Sequence, residues 1–399
     1  MAYKKYIPHD NASKRNETYR LIIKDIAFGG DGVAHLPDGK VCFIPDVLPD
    51  EEVEVKITDD RKNFAYAKLI EVHTPSSFRK DSECLHSNTC GGCQYWHTSY
   101  DYELQLKTKQ LKDLLERMAN LQPTIQLVPS KKNKEYRRSS TFHKDDQKKL
   151  GFFSRDKQDL VDIKDCPILD PSLNKLFQDK NEEVMRFNSR NIALKTDGEN
   201  LSTPRRPLRL TYQYANHSIF YDVNCFFQAN HDVLTQLIDQ IRKHIKRTDV
   251  LFDLYSGVGV FAIALSDLYS KVIALEHARS SVSFAQFNTQ DIKHIEVFKG
   301  KVENRFSRVY KKHRKSMSTI LLNPPRSGVS PDVINDILQE KNIKQIVYCS
   351  CEPSTLARDL KKLTMNKDFD ITNVILLDMF PRTKHFETLV FLEKVEKSL

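Results

Sequence analysis

Two cysteines close an apolar stretch in QIVYCSCEPSTLARDL, residues 345–360. A thiolate there could attack an electrophilic carbon. Cys351 lies just before Glu352-Pro353 and a helical pattern. A thiol at a strand end beside a helix start is exposed enough to react and is expected to have a lowered pKa. Cys349 sits inside the apolar strand and reads as a buried core thiol. Glu387 follows His385 at the head of ETLVFLEK. A carboxylate at the mouth of a sheet can serve as a general base, although taken alone it reads as a solvated strand end. A second group of thiols has metal-ligand spacing. Cys84, Cys90 and Cys93 form C-x5-C-x2-C, with Gly91 and Gly92 giving the freedom for a tight wrap. Cys166, in KDCPIL, is the natural fourth ligand. Such a set fits tetrahedral zinc or an iron–sulfur cluster, and spacing does not choose between them.

The segment VLFDLYSGVGVFAIALSDLYSKVIALE, residues 250–276, has the form strand, glycine loop, helix, strand, Glu. Gly257 and Gly259 let the backbone approach a ligand, and the helix start faces it. Glu276 is placed to accept hydrogen bonds from ribose hydroxyls. The third glycine of the dinucleotide fingerprint is missing, which points to S-adenosylmethionine instead. In TILLNPPRSG, residues 319–328, a strand runs into Asn323-Pro324-Pro325-Arg326 at the position where ligand crevices form in open α/β sheets.

These residues need a scaffold, and 399 residues provide for two or three domains. Residues 1–16 read as a disordered leader. Residues 17–77 alternate in short strands broken by FGGDG, LPDGK and DVLPDE, the texture of a small OB-like β-barrel. Residues 78–228 hold the cysteine cluster, an amphipathic helix over 100–119 and further strands, and read as a central mainly-β domain. From 229 to 399 strands alternate with helices, which predicts a parallel, Rossmann-like α/β sheet. The fold expected is therefore multidomain.

No run of about 18 apolar residues marks a membrane span, and MAYKKYIPHDNASKRNE has no signal-peptide core, so a cytoplasmic protein with reduced cysteines is expected. The net charge is +9, from 62 basic and 53 acidic residues, the sign expected for a polyanion partner. The basic residues gather at Lys131, Lys132, Lys134, Arg137 and Arg138 and again at Lys311, Lys312, Arg314 and Lys315, as a phosphate track would require.

Taken together, these motifs resemble the bacterial ribosomal-RNA (uracil-5-)-methyltransferases, relatives of the transfer-RNA uridine-54 enzymes, over nearly the whole chain. The resemblance implies a TRAM domain over 17–77 and a class I methyltransferase domain over 229–399. Cys84, Cys90, Cys93 and Cys166 would hold a [4Fe-4S] cluster rather than zinc. FFQAN, residues 226–230, is similar to the family's F-x-Q-x-N motif and implies cofactor contact by Gln228. DLYSGVG implies the same for Tyr255, Gly257, Gly259 and Glu276. SCEPSTLARD implies that Cys351, not Cys349, is the nucleophile, and HFETLVFL that Glu387 is the base. The D-P-P-R motif of the family, whose Asp is expected to contact the cofactor or substrate, implies the same for Asn323, which keeps an acceptor oxygen and loses the charge. A monomer acting on RNA is expected, with 23S ribosomal RNA preferred over transfer RNA. Lys131, Lys132, Arg137, Arg138 and Arg326 are the expected RNA contacts. A non-catalytic RNA-binding iron–sulfur protein and a methyltransferase for protein or small molecules are the alternatives of other classes.

Overall fold

The computed structural model describes residues 14–395 except 148, 157, 179–183, 185 and 188; most of the expected leader lies outside the described residues. Two compact units emerge. The first runs up to residue 81 and adds 94–102; the second joins 82–93 to residues from 103 onward. No described helix is long and apolar enough to cross a membrane.

The first unit is a six-stranded sheet: β1 (Thr18–Ile22), β2 (Asp25–Ile26), β3 (Gly32–His35), β4 (Val41–Ile44), β5 (Glu52–Asp60) and β6 (Phe64–Thr74). Its order is β1-β5-β6-β4-β3-β2. Period-two patterning sets its faces: Val53, Val55 and Ile57 are fully buried, while Lys56 between them points out. The short β3 was not expected, because its GVAH segment lies between two turn signals.

The second unit opens with helix α1 (Tyr100–Ala119), whose residues from 103 onward belong here, and strand β7 (Ile125–Val128). A five-stranded sheet follows, in order β10-β9-β8-β11-β12: β8 (Ser139–Lys144), β9 (Leu150–Phe153), β10 (Leu160–Asp162), β11 (Asn191–Thr196) and β12 (Leu201–Ser202). With α2 (Pro171–Gln178) it encloses a core of its own around Phe142, Phe177 and Leu194. The hairpin β13 (Leu210–Tyr214)–β14 (His217–Tyr221) and helix α3 (His231–His244) come next.

The remaining strands are β15 (Val250–Leu254), β16 (Lys271–Glu276), β17 (Ile295–Lys299), β18 (Ser318–Leu322), β19 (Ile343–Ser350), β20 (Phe369–Leu377) and β21 (Glu387–Lys394). Between them run α4 (Val260–Ala264), α5 (Arg279–Thr289), α6 (Val302–Tyr310), α7 (Pro331–Gln339) and α8 (Pro353–Thr364). The sheet order is β17-β16-β15-β18-β19-β21-β20-β7, parallel from β17 to β19, with β21 antiparallel to both its neighbours. Strand direction of travel reverses at β15, so the crevice of this α/β sheet lies beyond the ends of β15 and β18. The expected border at 228/229 is not a break. β7 pairs with β20 as the last strand of the large sheet, and the β13–β14 hairpin packs Leu210, Tyr212 and Ile219 into its core.

The buried face of α1 holds Leu104, Leu111 and Leu115 as expected, but it is not wholly apolar. Met118 is 40% exposed, whereas Glu103 and Lys107 are fully buried. Lys107 Nζ donates to Glu103 Oε1 at 2.7 Å, Asp378 Oδ1 at 2.8 Å and the Phe380 carbonyl at 3.3 Å. The Arg382 backbone N–H donates to the same Glu103 oxygen at 2.7 Å. Removing one partner from such a buried ionic group costs about 3–5 kcal/mol. The group thereby fixes the loop that leads from β20 to Glu387.

Candidate active site

The cofactor-type loop leaves β15 through three residues of positive φ: Tyr255 (64°), Gly257 (56°) and Gly259 (89°). Nothing lies within 4 Å of where a Gly257 side chain would start, so its requirement is conformational and it leaves open space for a ligand. The helix that follows is shorter than expected, five residues before a 3₁₀ turn, so its dipole adds little. Glu276 serves the loop itself. Its Oε2 accepts from the Gly257 N–H at 2.9 Å, and its Oε1 accepts from the His277 and Ala278 N–H groups at 2.7 Å each. Tyr255 donates its hydroxyl to Glu303 Oε1 at 3.2 Å. Asn288 on α5 braces the loop: its amide donates to the Val258 carbonyl at 3.0 Å and pairs with both backbone groups of Phe220. Nothing in the sequence pattern singled it out.

In FFQAN the residues alternate in role. Phe227 stacks on Tyr221 with centroids 3.8 Å apart, anchoring this loop to the core. Phe226 is 68% exposed and, like Gln228, lines a cavity. Asn230 caps α3, accepting from the Val233 N–H at 3.2 Å. The cavity, of about 720 Å³, gathers Gln228, Tyr255, Gly257, Glu276, Asn323, Arg326, Cys351 and Glu387, with Phe226, Phe380 and His385 among its walls. Gly259 opens α4 beside it and is not in the lining. These residues come from six separate stretches of chain. The topology brings them together because β15, β16, β18 and β19 end, and β21 begins, at one edge of the sheet.

Cys351 follows β19 directly and precedes α8. Its thiol is pushed up to about 11, by burial first and then by the nearby Glu387 carboxylate, with Arg326 opposing. The expected lowering is therefore corrected: desolvation and a neighbouring carboxylate outweigh the helix start. Cys349 is fully buried, its thiol held well above the ordinary range by burial and then by Glu387 and Asp253, as a core thiol should be. Glu387 is 3% exposed, and burial pushes its carboxyl up to about 8 against a hydrogen bond from Gln228 and the charge of Arg326. A carboxyl held near neutrality in a cleft is suited to proton transfer. His385 is pulled down to about 4, mainly by burial, so it is neutral; its Nδ1 is buried without a hydrogen-bond partner. Asp253, below the loop, donates no signal in the sequence. It is fully buried and raised to about 7 by burial, with one carboxyl oxygen held by the Ala262 N–H and the other unpartnered.

The four clustered thiols lie on loops pinned to each other. Arg155 donates to the carbonyls of Ser87 and Cys93, at 2.9 and 3.4 Å, and the Lys164 N–H reaches His86 Nε2 at 3.3 Å. Cys90 and Cys166 pack on the same apolar core. Burial raises Cys166 to about 12, against a backbone hydrogen bond from Ile168 and the charge of Arg137. The Gly92 N–H donates to Cys90 Sγ at 3.4 Å, an interaction that favours thiolate. A side chain at Gly91 would strike the backbone strap at Ser154, whose carbonyl is 2.9 Å from the first atom. Among the described residues, the set of three possible ligand atoms within 4.8 Å of one another is Glu54, Glu71 and His73, on the barrel. No three of the four thiols are thus drawn to the spacing of about 3.8 Å that tetrahedral zinc at about 2.3 Å imposes.

The basic residues divide. Lys131 and Lys132 are exposed, as are Lys311 and Lys312, and Arg326 is exposed at the cavity mouth. Arg138 is engaged internally, with His231 Nδ1 at 2.9 Å and Asp170 at 3.3 Å, and Arg137 donates to the Ser139 carbonyl at 3.2 Å. Both are half-buried rather than exposed, so these contacts hold part of each guanidinium in place.

The tRNA (Uracil-5-)-methyltransferase family model matches residues 189–395, and the TRAM domain model matches residues 12–70. An uncharacterized RNA methyltransferase of Thermotoga maritima is 30% identical, with 94% of this chain and 99% of that protein covered. The 23S rRNA (uracil(1939)-C(5))-methyltransferase RlmD of Pasteurella multocida is 28% identical, covering 98% and 99%. The crystal structure of Pyrococcus abyssi tRNA (uracil-54, C5)-methyltransferase in complex with S-adenosyl-L-homocysteine superposes with a TM-score of 0.75 at 23% identity, covering 94% and 99%, and so shares the fold. With a barrel of the TRAM type, a Rossmann-like sheet and a family match over more than half its length, this chain belongs to the tRNA (uracil-5-)-methyltransferase family of RNA methyltransferases.

Proposed function

We propose that this protein methylates C5 of one uridine in 23S ribosomal RNA, with Cys351 as covalent nucleophile and Glu387 as base. The observation that carries the reading is the convergence of Cys351, Glu387, Gln228, Asn323 and Arg326 in one cavity with the glycine loop and Glu276. S-adenosylmethionine, when bound there, supplies an electrophilic methyl group on a sulfonium. Tyr255, Gly257 and Glu276 form the side of the cavity suited to hold it.

C5 of uracil is a weak nucleophile. Addition of the Cys351 sulfur to C6 breaks the C5–C6 double bond and leaves an enolate, with electron density at C5. Arg326 opposes the rise of both Cys351 and Glu387, and so favours their charged forms. In this reading Arg326, which lines the cavity, donates to the enolate oxygen. After C5 has taken the methyl group, the Glu387 carboxylate removes the remaining C5 proton, the double bond re-forms and the Cys351 sulfur leaves. The target base has to leave its stack to reach this cavity, and exposed Phe226 at the wall offers a surface for it.

Ribosomal RNA is preferred because the Pasteurella relative named for it aligns over nearly the full length of both chains. The test is transfer of radiolabelled methyl from S-adenosylmethionine to unmodified 23S ribosomal RNA and, separately, to unmodified transfer RNA. Stoichiometric label in the 23S transcript and none in transfer RNA is expected. Label in transfer RNA alone would reverse the choice of substrate, and label in neither would remove the enzymatic reading.

Cys84, Cys90, Cys93 and Cys166 are proposed to hold a [4Fe-4S] cluster, whose ligands spread wider than those of a single ion. It would stiffen the pinned loops; no chemical step needs it. Protein purified without oxygen should contain about four iron and four sulfide per chain and absorb in the visible. Cys166→Ser should lose most of both. Zinc in place of iron would refute the assignment.

A further inference from the structure

The loop between β20 and β21 carries a histidine to which nucleophile and base give no task. Its backbone is held at several points. The Arg382 N–H is bonded to Glu103, and the Tyr136 hydroxyl donates to the Pro381 carbonyl at 2.8 Å. Thr383 is tied to the Phe380 carbonyl by its N–H at 3.1 Å and its hydroxyl at 2.9 Å. The His385 N–H then donates to Thr383 Oγ1 at 3.2 Å. The imidazole meets the Phe380 ring at a steep angle, 74°, with centroids 6.2 Å apart, and both rings line the cavity with Cys351, Arg326 and Glu387. A polar side chain on so firmly held a loop is preorganised, which is what stabilising a developing charge requires.

The two ring nitrogens differ. Nδ1 is sealed from solvent with no hydrogen-bond partner, whereas Nε2 is neither sealed nor engaged by any described residue. A neutral imidazole carries one proton, and placing it on Nδ1 would orphan a buried N–H, which folded proteins rarely do. The proton therefore belongs on Nε2, the nitrogen left open to the cavity. Burial first, then the charges of Arg326 and Lys384, pull the ring down to about 4, so it stays neutral near pH 7. A neutral imidazole donates a hydrogen bond to a carbonyl oxygen without handing over its proton.

We propose that His385 donates its Nε2–H to O4 of the target uracil and, with Arg326, stabilises the enolate. When the Cys351 sulfur bonds to C6, the C5–C6 π electrons form a C4–C5 double bond and the carbonyl π pair moves onto O4. The hydrogen bond strengthens as that charge grows. It relaxes when C5 takes the methyl group and the C4 carbonyl re-forms, and His385 keeps its proton throughout. O4 has two lone pairs, so a guanidinium and an imidazole can serve it together. The role rests on the covalent route through Cys351.

The test is single-turnover methyl transfer to 23S ribosomal RNA transcripts at saturating S-adenosylmethionine. His385→Phe keeps a flat ring and loses the donor. Its rate should fall by about 10²- to 10³-fold, as for loss of one oxyanion donor, with the affinities for S-adenosylmethionine and RNA unchanged. His385→Gln, which returns an N–H near the place of Nε2, should recover about 10-fold of that loss. Transcripts carrying 4-thiouridine report on the contact itself, because sulfur at C4 is a weak acceptor. The ratio of the rates on uridine and 4-thiouridine should be about 10-fold smaller in His385→Phe than in the parent. A packing role slows both substrates alike and leaves that ratio unchanged, so an unchanged ratio overturns the assignment. A parent-like rate in His385→Phe overturns it too. The parent is also incubated with 5-fluorouridine RNA. If it forms the Cys351 adduct while the ratio is unchanged, the His385 role falls alone. If it forms none, the covalent route and the His385 role fall together.

Discussion

Cys351→Ala removes methyl transfer to RNA, with kcat lower by about 10⁴-fold or more, while RNA affinity and thermal stability stay near those of the parent. The magnitude is that of losing a nucleophile that works as one unit with its base. Cys351 is only partly buried and does not fill the core, so its truncation leaves the β19 strand intact. Cys349→Ala separates the two thiols. It opens a gap in a fully buried site and lowers stability, but the folded protein retains turnover. Single-turnover kinetics with saturating S-adenosylmethionine check both variants. Activity in Cys351→Ala comparable with the parent would leave the covalent route without its nucleophile.

Glu387→Gln blocks a later step and should be distinguished by what accumulates. Addition of sulfur and arrival of the methyl group do not require the base, but release does. The expected result is turnover reduced by about 10²- to 10⁴-fold, with a methylated protein–RNA adduct that survives denaturing electrophoresis. In the parent enzyme the carboxyl has to lose its proton before it can act. Since it is pushed up to about 8, turnover should rise as pH increases through that value, and this limb should be absent from the variant. The same shift bears on stability. A carboxyl raised in the folded state holds its proton more tightly there than in the unfolded chain. Its stabilising contribution is complete below its ordinary value of 4.5 and is lost as pH rises through about 8. Glu387→Gln, which carries no charge at any pH, should therefore resist unfolding better than the parent above pH 8, measured by denaturant midpoints across pH. A variant that is inactive, forms no adduct and is less stable at every pH would mean that Glu387 is structural.

The parts of this site legible in the sequence are those with local spacing. The glycine loop and Glu276 stand at the two ends of one strand–helix–strand unit, and the three clustered cysteines lie within one loop. Both can be read without knowing what packs against them. Glu387 is different: alone it is an ordinary strand-end acid, and only the antiparallel pairing of β21 with β19, which sets Thr388 opposite Ser350, brings it beside Cys351. The sign of the Cys351 shift was misjudged because burial and a neighbouring carboxylate are properties of the folded cavity, whereas the helix start is visible in the chain. The burial of Lys107 and Glu103 within the amphipathic helix has no local sign, since their partner Asp378 lies 271 residues beyond Lys107. The extension of the catalytic sheet by β7 escaped notice for the same reason: IQLV has no local mark of its distant partner β20. Arg138 was counted by charge alone, and its engagement with His231 and Asp170 depends on contacts between segments far apart in the chain.

The central claim, covalent catalysis by Cys351 on a uracil ring, is tested most directly with RNA carrying 5-fluorouridine. Fluorine at C5 replaces the proton that Glu387 has to remove, so the reaction stops after methyl transfer with the Cys351 sulfur still bonded to C6. Incubation of the parent protein with this RNA and S-adenosylmethionine should give a slowly migrating band on denaturing gels, with mass spectrometry placing one nucleotide on Cys351. The band should be missing for Cys351→Ala. An adduct on another residue, or no adduct with 23S ribosomal or transfer RNA that the protein demonstrably binds, would contradict the mechanism.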